Sequence, residues 1–432
     1  MARPIPWLPP VTTATLAAIP RSINPSPKLR SGSDSYCKLV ILQEASMKPP
    51  ARTVAEMPQS GIREIANLAA RTPDCVRLDL GEPHFPTPPH IVEAACQAAR
   101  DGFTKYTPPV GLLSLRQAIS EKLQRVNGLH VPADRIVAVS GATSGLFTAC
   151  LSILEHGDEI LLPDPAWPNW EMMVLSAGGT IRHYPADSSR NFLPEPGELD
   201  AYVGDRTRAI ILNSPSNPTG AVMSPGLVRE MVDFARRHDL WVIADECYDE
   251  FVFEEEHACA ARFDGDGRVI SLFSCSKTYA MTGWRVGYVA CPEALIEVMA
   301  KLQQPVIGSI CSVAQKAAEA AIRGPQDSIA VMRDYYRGNR DLAVDMFANT
   351  GIRTWSPGGA FYMMVDISSA SMDTYDFAKR LVRSRQVSVA PGETFGPGGR
   401  GLVRLSLATS RDKLVTGLER LIEAIRADSQ AA

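Results

Sequence analysis

From residue 135 to residue 291 the chain repeats one pattern: a short β-rich run, a polar or glycine-rich loop and, in most cases, a helical stretch. Such alternation restricts the fold to α/β with a largely parallel sheet, because parallel neighbours need crossovers that helices supply. The strand candidates are 135–140, 159–163, 180–184, 209–213, 241–244, 269–275 and 285–291. Only about nine residues separate the last two, fewer than the dozen or more of a parallel crossover, so one of them runs antiparallel. Beyond residue 318 the pattern changes to a long helix over 329–348, a strand over 361–366, a helix over 374–383, a glycine-rich loop, a strand over 401–407 and a terminal helix. That reads as a second, smaller domain, and no internal repeat is present.

The composition narrows the partners. An apolar fraction of 45% and a charged fraction of 21% exclude disordered, collagen-like and coiled-coil chains. Lys+Arg 44 against Asp+Glu 48 leaves a net charge of −4 with no basic domain, which argues against nucleic acid and for a small molecule. Apolar stretches such as 146–154 stop well short of the ~18 to 20 residues that cross a bilayer, so no membrane partner is expected. The nine cysteines show no C-x-x-C and read as reduced thiols, with neither a disulfide frame nor a metal site. The first fifty residues, rich in Pro, Ser and Thr, carry six basic side chains against two acidic. They read as a disordered tail, an organelle targeting peptide, or an upstream extension before a true start at Met47. The expected location is cytoplasmic, or an organelle if 1–50 is a transit peptide.

In an open parallel sheet ligands gather at the carboxyl ends of the strands, so the loops there are where chemistry is sought. After 135–140 come Gly141, Ala142, Thr143, Ser144 and Gly145, then an apolar helical run. Free N–H groups and hydroxyls at a helix start make a phosphate site, although such residues also serve as plain caps. After 209–213 comes Ser214-Pro215-Ser216-Asn217-Pro218-Thr219-Gly220, which by itself reads as a rigid turn. After 241–244 come Asp245, Glu246 and Tyr248. A carboxylate in Asp245's place needs a cationic partner if it is buried, and is otherwise a cap or a surface acid. After 269–275 come Ser276 and Lys277, with Arg285 eight residues on. A lysine at the mouth of a buried sheet either snorkels to solvent or gives up its proton and becomes a Schiff-base amine. Taken together, a phosphate cradle, an amine for an aldehyde, a carboxylate for a ring nitrogen, and an Asn and a Tyr for a phenolic oxygen match pyridoxal 5'-phosphate.

At these residues the sequence resembles the class I/II aminotransferases of the aspartate aminotransferase fold (fold type I), from about Leu78 to the last helix. The motifs that carry the resemblance, in the family's order and spacing, are Gly81-Glu82-Pro83 with Phe85, Tyr106 before Pro108 and Gly111, Asn217-Pro218-Thr219-Gly220, Asp245-Glu246 with Tyr248, Ser274 to Lys277, Arg285 and Arg404. The resemblance implies a three-layer, mostly parallel sheet with one antiparallel strand, plus a smaller α+β domain. Its implied organisation is an N-terminal segment over 51–95 packing with the small domain, a large cofactor-binding domain over 96–317 and a small domain over 318–432. It implies that Lys277 forms the Schiff base and shuttles the proton, that Asp245 pairs the pyridinium, and that Asn217 and Tyr248 hold the ring hydroxyl. Ala142 and Thr143 through their backbone, and Ser274 and Arg285 through side chains, would hold the phosphate, with Trp167 stacked on the ring. Tyr106 would reach the phosphate of a neighbouring subunit, which implies a homodimer with shared sites.

Arg404 lies on a run otherwise fit for burial, and its planar fork suits a substrate α-carboxylate, a structural salt bridge being the other use. By the resemblance Gly81 and Asn217 lie beside that carboxylate. The implied reaction moves an α-amino group from an L-amino acid to a 2-oxo acid. Some aspartate-using relatives place a lysine where Thr143 stands, so its absence points to hydrophobic, aromatic or broad donor use. A β-lyase or an aminocyclopropane-carboxylate synthase on the same scaffold would share the cofactor residues. A transcription regulator of this fold would need a winged helix, which the irregular first fifty residues cannot form.

Overall fold

The computed structural model describes Lys48, residues 50–55, Met57, and residues 61–370 and 372–431. The expected extension over 1–50 lies outside the described residues, apart from Lys48 and Pro50. The chain divides into two units, 1–52 and 53–432, and all that follows belongs to the second.

Its strands are, in chain order, β1 (Val76–Arg77), β2 (Ile136–Val139), β3 (Glu159–Asp164), β4 (Thr180–Pro185), β5 (Thr207–Asn213), β6 (Trp241–Asp245), β7 (Val269–Ser274), β8 (Gly287–Ala290), β9 (Thr354–Trp355), β10 (Tyr362–Asp366), β11 (Val387–Ser388), β12 (Ala390–Pro391) and β13 (Leu402–Ser406). Each candidate between 135 and 291 forms a strand, and together they make a seven-stranded sheet in the order β2-β8-β7-β6-β5-β3-β4. Only β8 runs against its neighbours, β2 and β7. The short segment before it therefore lies at the same edge as the loops that follow the parallel strands.

Parallel strands covered by helices on both faces become near-continuous apolar runs, and β2, β7 and β8 are buried at every position. The pleat divides them between two cores. Ile136 and Ala138 pack with Leu115, Ile119 and Leu123 of the helix Leu113–Asn127. Val137 and Val139 pack with Leu146 and Ala149 of the helix Gly141–Ile153.

A second sheet, β12-β13-β10-β9, is antiparallel throughout. It sets Arg404 of β13 opposite Met364 of β10. Strand β1 pairs in parallel with β11. The chain then continues along β13, with the Leu78 carbonyl accepting from Ser406 N at 2.7 Å. This brings Asp79 to Gly81, more than three hundred residues earlier in the chain, against Arg404. The helices Asp327–Phe347, Thr374–Arg385 and Arg411–Ala431 match the expected ones to within a few residues. No helix among the described residues is long and apolar enough to cross a membrane.

The loop after β6 is anchored from beneath by a buried ion pair. Lys122 Nζ, on the helix Leu113–Asn127, binds the Asp249 carboxylate in a very short contact and Asn127 Oδ1 at 2.9 Å, while Asn127 Nδ2 donates to Asp249 at 3.0 Å. Burial works against the Lys122 ammonium, but the Asp249 and Glu250 carboxylates outweigh it and keep it protonated. Removing one member of such a pair strands the other charge in the interior. Lys122→Met should therefore cost about 3–5 kcal/mol in urea unfolding; a loss below about 1 kcal/mol, the range of a surface pair, would show that the pair is not what secures this loop.

Candidate active site

A cleft of ≈ 300 Å³ opens at the carboxyl edge of the seven-stranded sheet, lined by the loops after β2, β5, β6 and β7 and by residues of β10 and β13. Of the residues singled out in the sequence, it brings together Gly81, Ala142, Thr143, Trp167, Asn217, Asp245, Tyr248, Ser274, Lys277, Arg285 and Arg404. Tyr106 is not among them. It stands on the surface, 96% exposed.

One end of the cleft is built for an anion. The helix Gly141–Ile153 begins without a side-chain cap, since Ser140 makes no such bond, so its first-turn N–H groups lack that partner. Gly141 has φ +70°, and a Cβ there would run into the Arg285 guanidinium, which lies over the helix start. Glycine is required on both counts. Arg285, on the segment before β8, donates through Nη1 to the Thr282 carbonyl at 2.8 Å. Ser274 caps the short helix Cys275–Thr278 by accepting from Ser276 N at 3.1 Å, which leaves its hydroxyl hydrogen to give.

The middle of the cleft holds a carboxylate and an amine. Asp245, at the end of β6, is 6% exposed, and its carboxylate accepts from Cys247 N at 3.3 Å. No cation pairs with it among the described residues, and burial lifts its pKa to about 6. The register of the parallel ladder sets Asp245 beside Asn213 of β5, whose Nδ2 donates to the Asp245 carbonyl at 3.1 Å. Lys277, one turn past the end of β7, points its Nζ at the Gly81 carbonyl. Burial lowers its pKa to about 8, and the Arg285 and Arg404 guanidiniums push the same way.

At the far end lies Arg404, 2% exposed. Its Nη1 donates to Asn217 Oδ1 and its Nη2 to the Asp79 carbonyl, each at 2.8 Å, and its Nε has no partner. The guanidinium sits between the rings of Tyr362 at 4.3 Å and Phe395 at 4.9 Å. Among the described residues no carboxylate pairs with it, so the salt-bridge use of this arginine is absent. A buried guanidinium with an unmet N–H donor and no carboxylate partner invites an anionic ligand.

The fold is shared with known proteins. The model for "Aminotransferase class I and II" matches residues 73–425. The chain belongs to this family. It is an aminotransferase. An aspartate aminotransferase of Pyrococcus horikoshii is 36% identical over 382 residues, covering 88% of this chain and 97% of that one. An aromatic-amino-acid aminotransferase of Thermococcus litoralis is 35% identical over 374 residues, 85% of this chain and 96% of its own. Among solved structures, the aspartate aminotransferase of Thermus thermophilus with maleate superposes with a TM-score of 0.84 at 34% identity, over 88% of this chain and all of that one.

Among the lining residues of this aminotransferase that the sequence does not single out are Tyr362 and Asp79. Tyr362 is 2% exposed, with its hydroxyl 2.8 Å from that of Tyr248. The usable signal was a phenol inside an apolar strand, which must find a hydrogen-bond partner once buried. Asp79 contributes its backbone carbonyl, which no side-chain pattern reveals. The lowered pKa of Lys277 has a measurable sign: between pH 8 and 10.5 its amine is mostly free base, whereas a solvated lysine is still ammonium. Acylation of Lys277 in cofactor-stripped protein, followed by mass spectrometry, should be half-maximal near pH 8. A midpoint at the ordinary lysine value would mean that the site does not depress it.

Proposed function

We propose that the cleft binds pyridoxal 5'-phosphate and that the enzyme moves an α-amino group from an L-amino acid to a 2-oxo acid. The observation that carries this reading is a row of three unmet demands in one cleft. These are an uncapped helix start under Arg285, a buried carboxylate without a cation at Asp245, and a buried guanidinium with a free Nε at Arg404. A phosphate, a protonated ring nitrogen and a substrate α-carboxylate answer them in that order.

Ala142 and Thr143 would hold the phosphate through backbone N–H groups, Ser274 through its hydroxyl and Arg285 through its guanidinium. Asp245 would keep the ring nitrogen protonated, Asn217 and Tyr248 would meet the ring hydroxyl, and Trp167 would cover a ring face. When bound, the cofactor supplies an aldehyde for an amine and a ring that accepts the electron pair left at the substrate Cα. Lys277, with its pKa near 8, is suited to take the Cα proton at neutral to mildly basic pH and to return it. Arg404 and Asn217, already bonded to each other, would orient the α-carboxylate, with the Gly81 backbone alongside. Cationic groups lining the cleft are then all committed, which favours donors with apolar or aromatic side chains. The exposed Tyr106 is read as the residue that completes a partner subunit's phosphate site in a homodimer.

Borohydride treatment of the yellow holoenzyme should fix the cofactor covalently on Lys277, read by peptide mass. An adduct on another lysine, or no chromophore after incubation with the cofactor, would remove the basis of the assignment. Arg404→Lys keeps the charge but loses the paired geometry. It should retain the chromophore and raise KM for both amino and oxo acid, with a loss on the order of 2 to 5 kcal/mol in kcat/KM. Release of the cofactor with KM unchanged would exchange the roles given to Arg404 and Arg285.

A further inference from the structure

Tyr362 joins the two halves of the cleft. Its hydroxyl lies 2.8 Å from the Tyr248 hydroxyl, the two rings meeting edge-on with centroids 5.7 Å apart. Its ring carries the Arg404 guanidinium at 4.3 Å. Gly81 leaves the space that the Tyr362 hydroxyl fills, since a Cβ there would overlap it. Both tyrosines are buried, at 2% and 5% exposure.

A phenol has one hydrogen to give and two lone pairs to receive. The two hydroxyls share one hydrogen bond, so one hydrogen is left over, and among the described residues neither has a second partner. If Tyr248 gave its hydrogen to Tyr362, the Tyr362 hydrogen would be left without an acceptor in the interior. If Tyr362 gives to Tyr248, the spare hydrogen is that of Tyr248. With an acceptor oxygen beside Tyr248, only this second direction satisfies both donors. A hydroxyl that accepts one hydrogen bond is also polarised into a stronger donor of the next.

We propose that Tyr362 is a positioning residue: it donates to Tyr248, so aiming and strengthening the hydrogen that Tyr248 offers the cofactor's ring oxygen, while its ring supports Arg404. This rests on the reading that Tyr248 meets that oxygen. The titratable groups facing the pair are Arg404 on β13, and Asp245 and Cys247 on the segment from the end of β6, with Lys277 in the same cleft. Substitution at Tyr362 leaves all of them in place.

The test is the pH midpoint of the bound cofactor's visible absorbance in the holoenzyme. A weaker donor at the ring oxygen leaves that oxygen more basic, so the proton nearby is held more tightly and the midpoint rises. Tyr362→Phe should raise it on the order of 0.5 pH unit, about threefold in proton affinity. Tyr248→Phe should raise it further, and the double variant should match Tyr248→Phe alone, because Tyr362 acts through Tyr248. Tyr362→Phe keeps an aromatic face under Arg404 and should leave KM for the amino donor within about twofold, whereas Tyr362→Leu, which loses the face, should raise KM more than about fivefold. A midpoint that moves in Tyr248→Phe but not in Tyr362→Phe overturns this inference and leaves the cofactor reading standing. A midpoint that moves in neither removes the Tyr248 assignment and the inference with it. Additive shifts in the double variant, or KM values equal in the Phe and Leu variants, would likewise count against it.

Discussion

The parallel ladder of β5, β6 and β7 is the constraint on which the rest of the site depends. Its register sets Asn213 beside Asp245 and Asp245 beside Leu272, so three chain segments reach the carboxyl edge of the sheet almost level. Two then turn into loops, Ser214 to Gly220 and Glu246 to Glu250, and the third into the short helix Cys275–Thr278 that carries Lys277. Because side-chain direction alternates along a strand, a one-residue slip would turn Asp245 from the cleft into the core. That register is held by apolar residues on both faces, which fix the strands without taking part in any chemistry. The buried Lys122–Asp249 pair adds a second hold on the β6 loop.

On this rigid edge the chain keeps charges that it does not neutralise. Asp245 and Arg404 are almost fully buried, and among the described residues neither forms an ion pair. Burying a lone charge is costly, and elsewhere in the molecule the same sequence avoids the cost. Lys122 meets Asp249, and Glu246 receives bonds from Cys259, Ser271 and His257. The contrast separates interior charges that serve the fold from those that await a ligand. Lys277 fits the same pattern: burial lowers its pKa, the Arg285 and Arg404 guanidiniums push the same way, and its Nζ has a backbone carbonyl to bind.

Much of this was legible in the chain because it is written locally. Strand, loop and helix follow one another with recognisable punctuation, and the shortness of the gap before β8 was enough to show that a strand there must reverse. Lys277 and Asp245 stood out because a charged residue directly after an apolar run has few ordinary uses. Tyr362 and the Asp79 carbonyl did not stand out. A tyrosine within Phe361 to Val365 looks like core, and a backbone carbonyl has no signature at all. Their roles arise from contacts across more than a hundred residues of chain, such as Tyr248 with Tyr362 and Asp79 with Arg404. Tyr106 is the opposite case: its motif was plain, yet a single chain leaves it on the surface.

The sequence by itself determined the class of fold, the identity of the loops that bear chemistry and the residue types available there. Each follows from short-range rules: strand and helix periodicity, turn residues, and the rarity of buried charge. Tertiary structure alone decided which of those residues meet. It was the pairing of β1 with β11 that delivered Gly81 to Arg404, and the pairing of β10 with β13 that set Tyr362 under the guanidinium. Which charges stayed unpartnered was decided there as well, because a counterion is a matter of distance in space, and no spacing along the chain encodes it.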